Sequence, residues 1–148
     1  IAVVVSDAGL TTDVSAEELV GLLSGRVGNW SVLGGAARPV LPVIPLPEDD
    51  LRLLIDEQLM RGTPYASGAR LAAEPEQALA LLTEGPGAVA LVPLSAAPEN
   101  STPLRLDGAL PSTSGEYGLM AQVLAIGPSE PEGAVRDWLV WIQASQEP

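Results

Sequence analysis

The stretch Val14-Ser-Ala-Glu-Glu-Leu-Val-Gly-Leu-Leu-Ser-Gly-Arg-Val-Gly-Asn-Trp-Ser-Val-Leu-Gly-Gly35 decides the fold of this chain. Ser15 and Glu18 have the spacing of a capping box, which predicts the start of a helix. Leucines at helical spacing follow, and Gly25 is the kind of residue at which helices end. The Gly-Asn-Trp sequence that comes next predicts a tight turn, with Trp30 packed as its anchor rather than exposed as a ligand platform.

Apolar segments and helical patterns alternate on both sides of this stretch. Strands are predicted at Ile1–Ser6, Pro39–Leu46, Gly87–Pro93, Leu104–Leu106 and Tyr117–Ile126, and further helices at Pro47–Met60, Glu74–Thr83 and Glu132–Ala144. The first strand is expected to be buried on both faces in a parallel sheet. The prolines of Pro39–Leu46 favour a sheet edge or the beginning of a strand. The alternation predicts an α/β fold, with a mostly parallel sheet flanked by helices.

The last predicted helix has an apolar stripe. Val135, Trp138, Leu139 and Ile142 recur at helical spacing, so we expect them to pack inward. Trp138 and Trp141 lie three residues apart, and we expect one of them in the core and the other exposed to a partner segment.

The composition limits the functions that this chain can have. The 148 residues suffice for a single domain, and the net charge of −12 opposes binding to nucleic acid. The chain contains no His, Cys or Lys, and its seven cations are all Arg. Catalysis by Ser-His or Cys-His pairs, Schiff-base lysines and imidazole or thiolate metal sites is therefore excluded within this chain. We expect no enzymatic activity and no cofactor.

The opening stretch resembles a segment of the phosphate-type solute-binding proteins of bacterial ABC transporters. The residues that match the motif of that family are Glu17, Glu18, Leu19, Leu23, Ser24, Gly25, Arg26, Asn29, Trp30, Leu33, Gly34 and Gly35. Four further segments are similar to that family in the same order: Glu84–Pro93, Leu106–Gly108, Tyr117 with Leu119 and Leu124, and Val135–Ser145. The resemblance thus extends over nearly the whole chain.

The resemblance implies a two-lobed architecture in which α/β lobes close over a solute. The matching segments correspond to the later lobe, the hinge-crossing stretches and the final helix, so residues 1–148 are expected to form one solute-binding-protein-like domain that lacks most of the first lobe. Since the chain begins at Ile1, we expect upstream sequence that anchors an extracytoplasmic protein, periplasmic or on the cell surface. A face that the first lobe would cover offers a surface for a homodimer.

The oxyanion site of the family departs from its pattern in this chain. The family binds the anion with an "arg-x-x-gly-ser-gly-thr" segment at a helix N-terminus, and the equivalent residues here are Pro45, Leu46, Pro47, Glu48, Asp49 and Asp50. Proline has no N–H to donate, and carboxylates repel an anion. The alternative for this acidic trio is a hard-cation site, which needs more oxygen ligands than three consecutive residues supply. The sequence predicts that the usual oxyanion site is lost.

Two functional interpretations stay open. The first is a non-enzymatic solute-binding-like domain that serves an ABC transporter permease or another membrane partner, with a small oxyanion as a candidate ligand. The second is a surface sensor or protein-interaction module built on the same scaffold.

Overall fold

A computed structural model describes residues 1–6, 11–98, 103–112, 116–121 and 130–144. The strands are β1 (Ala2–Val5), β2 (Asp13–Val14), β3 (Leu41–Pro45), β4 (Arg70–Ala72), β5 (Ala88–Val92) and β6 (Arg105–Leu106). The α-helices are α1 (Ala16–Ser24), α2 (Asp50–Ile55), α3 (Pro75–Glu84) and α4 (Gly133–Ala144). Short 3-10 helices lie at Trp30–Leu33 and Leu94–Ala96, and a π-helical turn at Asp56–Met60 continues α2.

The main sheet has four strands in the order β1-β5-β3-β4. The pairs β5–β3 and β3–β4 are parallel, and β2 pairs with β6 in a separate parallel ladder. The predicted α/β class and mostly parallel sheet are thus confirmed. β1 is the exception, because it pairs antiparallel with β5. It is buried on both faces as expected, but an all-apolar strand does not encode the direction of its neighbour.

Of the two positions that the prolines favoured, the sheet edge is wrong, since β3 lies between β5 and β4. The beginning of a strand is right for Pro42, the second residue of β3, but not for Pro45, its last. Successive N–H groups of a strand point to opposite neighbours, and Leu41 donates toward β5, to the carbonyl of Gly87 (3.1 Å). Pro42 therefore faces the β4 side, where pairing begins only at Val43. Pro45 faces β5 beyond the last paired residue. Pro42 thus stands before the first β3–β4 pair, and Pro45 stands after the last β3–β5 pair.

Both faces of the sheet are covered, and the strands divide their side chains between two cores. Val3, Val89 and Leu91 face the core that contains α1, the π turn and Trp30. The alternate residues, such as Val4 and Ala90, face α3. This period of two is what a sheet buried between two helical layers requires.

The capping box and the glycine stop of α1 are confirmed. Ser15 Oγ accepts from the Glu18 N–H (3.2 Å), while the Glu18 carboxylate accepts from the Ser15 N–H (2.7 Å). Gly25 ends the helix at φ 78°. Trp30 follows in its turn and is fully buried, as predicted. Local sequence signals were sufficient here because each of them acts within one or two helical turns.

The outer edge of β1 is closed by two other chain segments instead of a strand. The hydroxyl of Tyr117 accepts from the Val3 N–H (3.2 Å) and donates to the Leu104 carbonyl (2.9 Å), and the Leu104 N–H donates to the Val3 carbonyl (2.9 Å).

A strand was predicted at Tyr117–Ile126. Its described part, up to Ala121, is a turn followed by non-strand backbone, and residues 122–126 lie outside the described residues.

The predicted helix at the end of the chain is present as α4, but the prediction of its inward packing is wrong. Val135, Trp138 and Trp141 are 58%, 57% and 65% exposed, so neither tryptophan is in the core. Leu139 and Ile142 are only half-buried. Helical spacing identifies an apolar face but not what it packs against, and neither core of the described residues includes α4.

A substitution at Gly87 tests how closely the backbone at Gly87 and at Pro39 must approach each other. It has φ 94°, and a Cβ there would overlap the carbonyl oxygen of Pro39. We predict that Gly87→Ala lowers the free energy of unfolding by about 3–5 kcal/mol, the sum of backbone strain and overpacking. Gly68→Ala is the control, because no atom lies within 4 Å of a Cβ there. Urea unfolding that moves both variants equally would contradict this account.

Candidate functional site

A cleft of about 100 Å³ opens at the carboxyl ends of β3, β4 and β5, between the starts of α2 and α3. In α/β folds this edge is where ligands usually bind. The lining residues are Val43, Ile44, Pro45, Asp49, Leu51, Ala72, Ala73, Glu74, Pro75, Ala78, Leu91 and Pro93. The wall is thus apolar apart from two carboxylates, and no cation is among the lining residues.

The structure brings the predicted anion segment to this cleft. Of its six residues, Pro45 and Asp49 line the cleft, whereas Pro47, Glu48 and Asp50 are exposed. Asp49 is the N-cap of α2, and its Oδ1 accepts from the Leu51 N–H (2.7 Å). The positive end of this six-residue helix is therefore already met by a carboxylate of the protein itself.

Arg52 lies just beyond the segment and is engaged elsewhere. Its Nε donates to both carboxylate oxygens of Asp56 (3.1 Å each), and its Nη1 donates to the Pro45 carbonyl (3.2 Å). The guanidinium also stacks 3.8 Å from the centroid of the Tyr65 ring, whose hydroxyl donates to Asp56 (2.7 Å). Sequence reasoning missed this cluster, although the i,i+4 spacing of Arg52 and Asp56 was a readable signal.

Charge opposes an oxyanion in this cleft. A carboxylate about 6 Å from a bound anion costs roughly 3 kcal/mol at an effective dielectric constant near 20. That is on the order of a hundredfold in affinity. Asp49 and Glu74 both border the space, and Arg52 is held by Asp56 and Tyr65. The residues that line the cleft include no Arg, Ser or Thr, so they offer an oxyanion neither a positive charge nor a side-chain hydroxyl.

Three acidic residues outside the cleft have structural partners. Asp13 and Asp107 accept from the backbone N–H groups of Gly108 (3.1 Å) and Ala16 (3.3 Å), and Glu18 belongs to the capping box. Within the described residues, no group of three or more acidic or metal-ligating side chains is placed to hold a metal ion. The same residues include no helix of the length and apolarity that a membrane crossing requires.

No protein-family model and no curated protein sequence matches the chain. Solved structures do share its fold. An ABC-type phosphate transport receptor from Vibrio cholerae superposes with a TM-score of 0.73 at 20% identity, covering 80% of this chain and 52% of the receptor. PstS from Borrelia burgdorferi superposes with a TM-score of 0.73 at 14% identity, covering 80% of this chain and 53% of PstS. A phosphate ABC transporter substrate-binding protein from Clostridium perfringens superposes with a TM-score of 0.71 at 15% identity, covering 77% of this chain and 47% of that protein.

The chain therefore has the periplasmic-binding-protein-like fold of phosphate ABC transporter substrate-binding proteins, as the sequence resemblance predicted. It spans about half the length of these structures. The Clostridium perfringens protein was solved with bound phosphate.

The two tyrosines supply a test of the contacts around the cleft and β1. Burial raises the pKa of Tyr117 to about 12, and burial together with the hydrogen bond to Asp56 raises the pKa of Tyr65. Each group is more acidic in the unfolded chain, so the stability it contributes is complete below pH 10 and is lost as the pH rises through the folded-state pKa. With no Lys or Cys in the chain, the tyrosines are the side chains that titrate there.

We predict that the free energy of unfolding is constant from pH 8.5 to 9.5 and falls between pH 10 and 12. Absorbance at 295 nm should show little tyrosinate below pH 10, and the midpoint of its formation should lie well above pH 10. A tyrosinate midpoint near pH 10 without any loss of stability would contradict the burial of both hydroxyls.

Proposed function

We propose that this chain is a non-enzymatic, extracytoplasmic solute-binding-like domain whose usual oxyanion site has been lost. The observation that carries the proposal is the cleft, which lies at the carboxyl ends of the parallel strands but is lined by apolar groups, Asp49 and Glu74. The fold supports a binding role rather than catalysis, because the structures that share it are transport receptors and substrate-binding proteins by description.

Residues 1–148 are proposed to act as one unit that corresponds to one lobe and the hinge of a two-lobed binding protein, with most of the first lobe absent. The match to about half of each similar structure supports this assignment. The exposed face of α4 supports it too, because Trp138 and Trp141 would be costly to leave in water. An ABC transporter permease or another membrane component is the proposed partner of the assembled protein.

We predict that phosphate, sulfate and molybdate do not bind the chain. Isothermal titration to 1 mM of each anion should give no saturable heat, and thermal unfolding should not shift, because an anion at a hundred times its dissociation constant would add about 2.7 kcal/mol. The phosphate-binding protein from Clostridium perfringens is the positive control. Binding of phosphate with micromolar affinity would refute the loss of the site.

The exposed face of α4 favours a second candidate, a protein-interaction module on the same scaffold. Val135, Trp138 and Trp141 form one side of this helix, with Asp137 beside Trp141 and Arg136 on the opposite side from Trp138. Exposed apolar side chains of this size mark surfaces that another protein covers, and a second copy of the chain offers a matching apolar face. We therefore propose this face as the surface of a homodimer.

We predict a concentration-dependent dimer in sedimentation equilibrium that Trp138→Glu abolishes. Val140→Glu is the matched control, since Val140 is equally exposed and lies about 200° away around the helix. It should leave the dimer intact. A monomer at every concentration up to several hundred micromolar, or equal effects of the two variants, would exclude dimerisation through this face.

A further inference from the structure

The segment of residues 116–121, here called the strap, crosses the outer edge of β1 and is held in two different ways. Its first part is held by burial, because Tyr117 and Leu119 are 1% and 3% exposed and belong to the main core. Its last part, at Met120, is held by the side chain of Gln58. The Gln58 amide donates to the Met120 carbonyl (2.6 Å) and accepts from the Met120 N–H (3.0 Å).

Gln58 stands on an unusual part of the helix. It lies in the π turn, where the Arg61 N–H donates to the Asp56 carbonyl five residues back (2.7 Å). Arg61 itself has a left-handed backbone, φ 47°. Wide turns and left-handed residues other than glycine are unfavourable, and where they persist they often mark a hinge or a functional position.

The π turn is held rigidly from both sides. Asp56 binds Arg52 and Tyr65, and Leu59 and Met60 are buried in the core. Gln58 therefore projects from a fixed support, and its amide presents to Met120 the donor and acceptor that a neighbouring strand would otherwise present.

From these contacts we infer that Met120 is a hinge and that Gln58 is the latch that closes it. Opening at Met120 breaks two hydrogen bonds of a half-buried residue, whereas opening at Tyr117 or Leu119 would expose buried side chains to water. Met120 therefore opens while the rest of the strap stays in place.

Amide hydrogen exchange measured by NMR on the whole chain tests the latch. The Leu104 amide is the internal reference, because it donates to the Val3 carbonyl beside the Tyr117 hydroxyl and so reports the buried anchor. In the unmodified protein, the Met120 amide should exchange at least about tenfold faster than that of Leu104. Equal rates for the two amides would overturn the inference, since the strap would then open only as a whole.

Two variants complete the test. Gln58→Met removes both hydrogen-bonding atoms at similar length, and it should accelerate exchange at Met120 about tenfold or more without changing Leu104. Glu57→Met places the same side chain at the exposed neighbouring residue and should change neither exchange rate. An unchanged Met120 rate in Gln58→Met, or an equal acceleration at Leu104, would each overturn the role of the latch.

Discussion

The approach of backbone to backbone at Gly87 is the constraint on which the rest of the structure depends. Its carbonyl accepts from both the Trp30 indole (2.8 Å) and the Leu41 N–H (3.1 Å), and its own N–H donates to the Ser6 hydroxyl (2.9 Å). One residue thus joins the turn after α1, the start of β3 and the end of β1. A side chain at this position would separate them, because Pro39 already fills the space that a Cβ would need.

The contacts of Gly87 hold the strands of the sheet in place, and the sheet then determines where a ligand site can lie. With β3 and β5 parallel, their carboxyl ends meet at one edge, and the helices that follow them begin beside it. In α/β folds ligands usually bind at such an edge. In this chain Asp49 caps its own helix there and Arg52 binds Asp56.

Much of the scaffold could be predicted from the sequence, because its signals are local. The capping box of Ser15 and Glu18, the stop at Gly25 and the burial of Trp30 all hold in the structure. The three-residue strand β4 carried no such signal, since it is short and becomes a strand only by pairing with β3. The absence of Arg, Ser, Gly and Thr from residues 45–50 was readable from the residue types alone, and the loss of oxyanion binding stays a prediction.

By itself, the sequence determined the capped helix α1, the turn at Trp30 and the absence of Arg, Ser, Gly and Thr from residues 45–50, because these follow from residue type and spacing over a few residues. Only the tertiary structure decided what depends on distant segments meeting. It made β1 antiparallel, placed the prolines of β3 in a central strand and left the face of α4 exposed. It also joined Gln58 to Met120, sixty-two residues apart, a contact that no local pattern encodes.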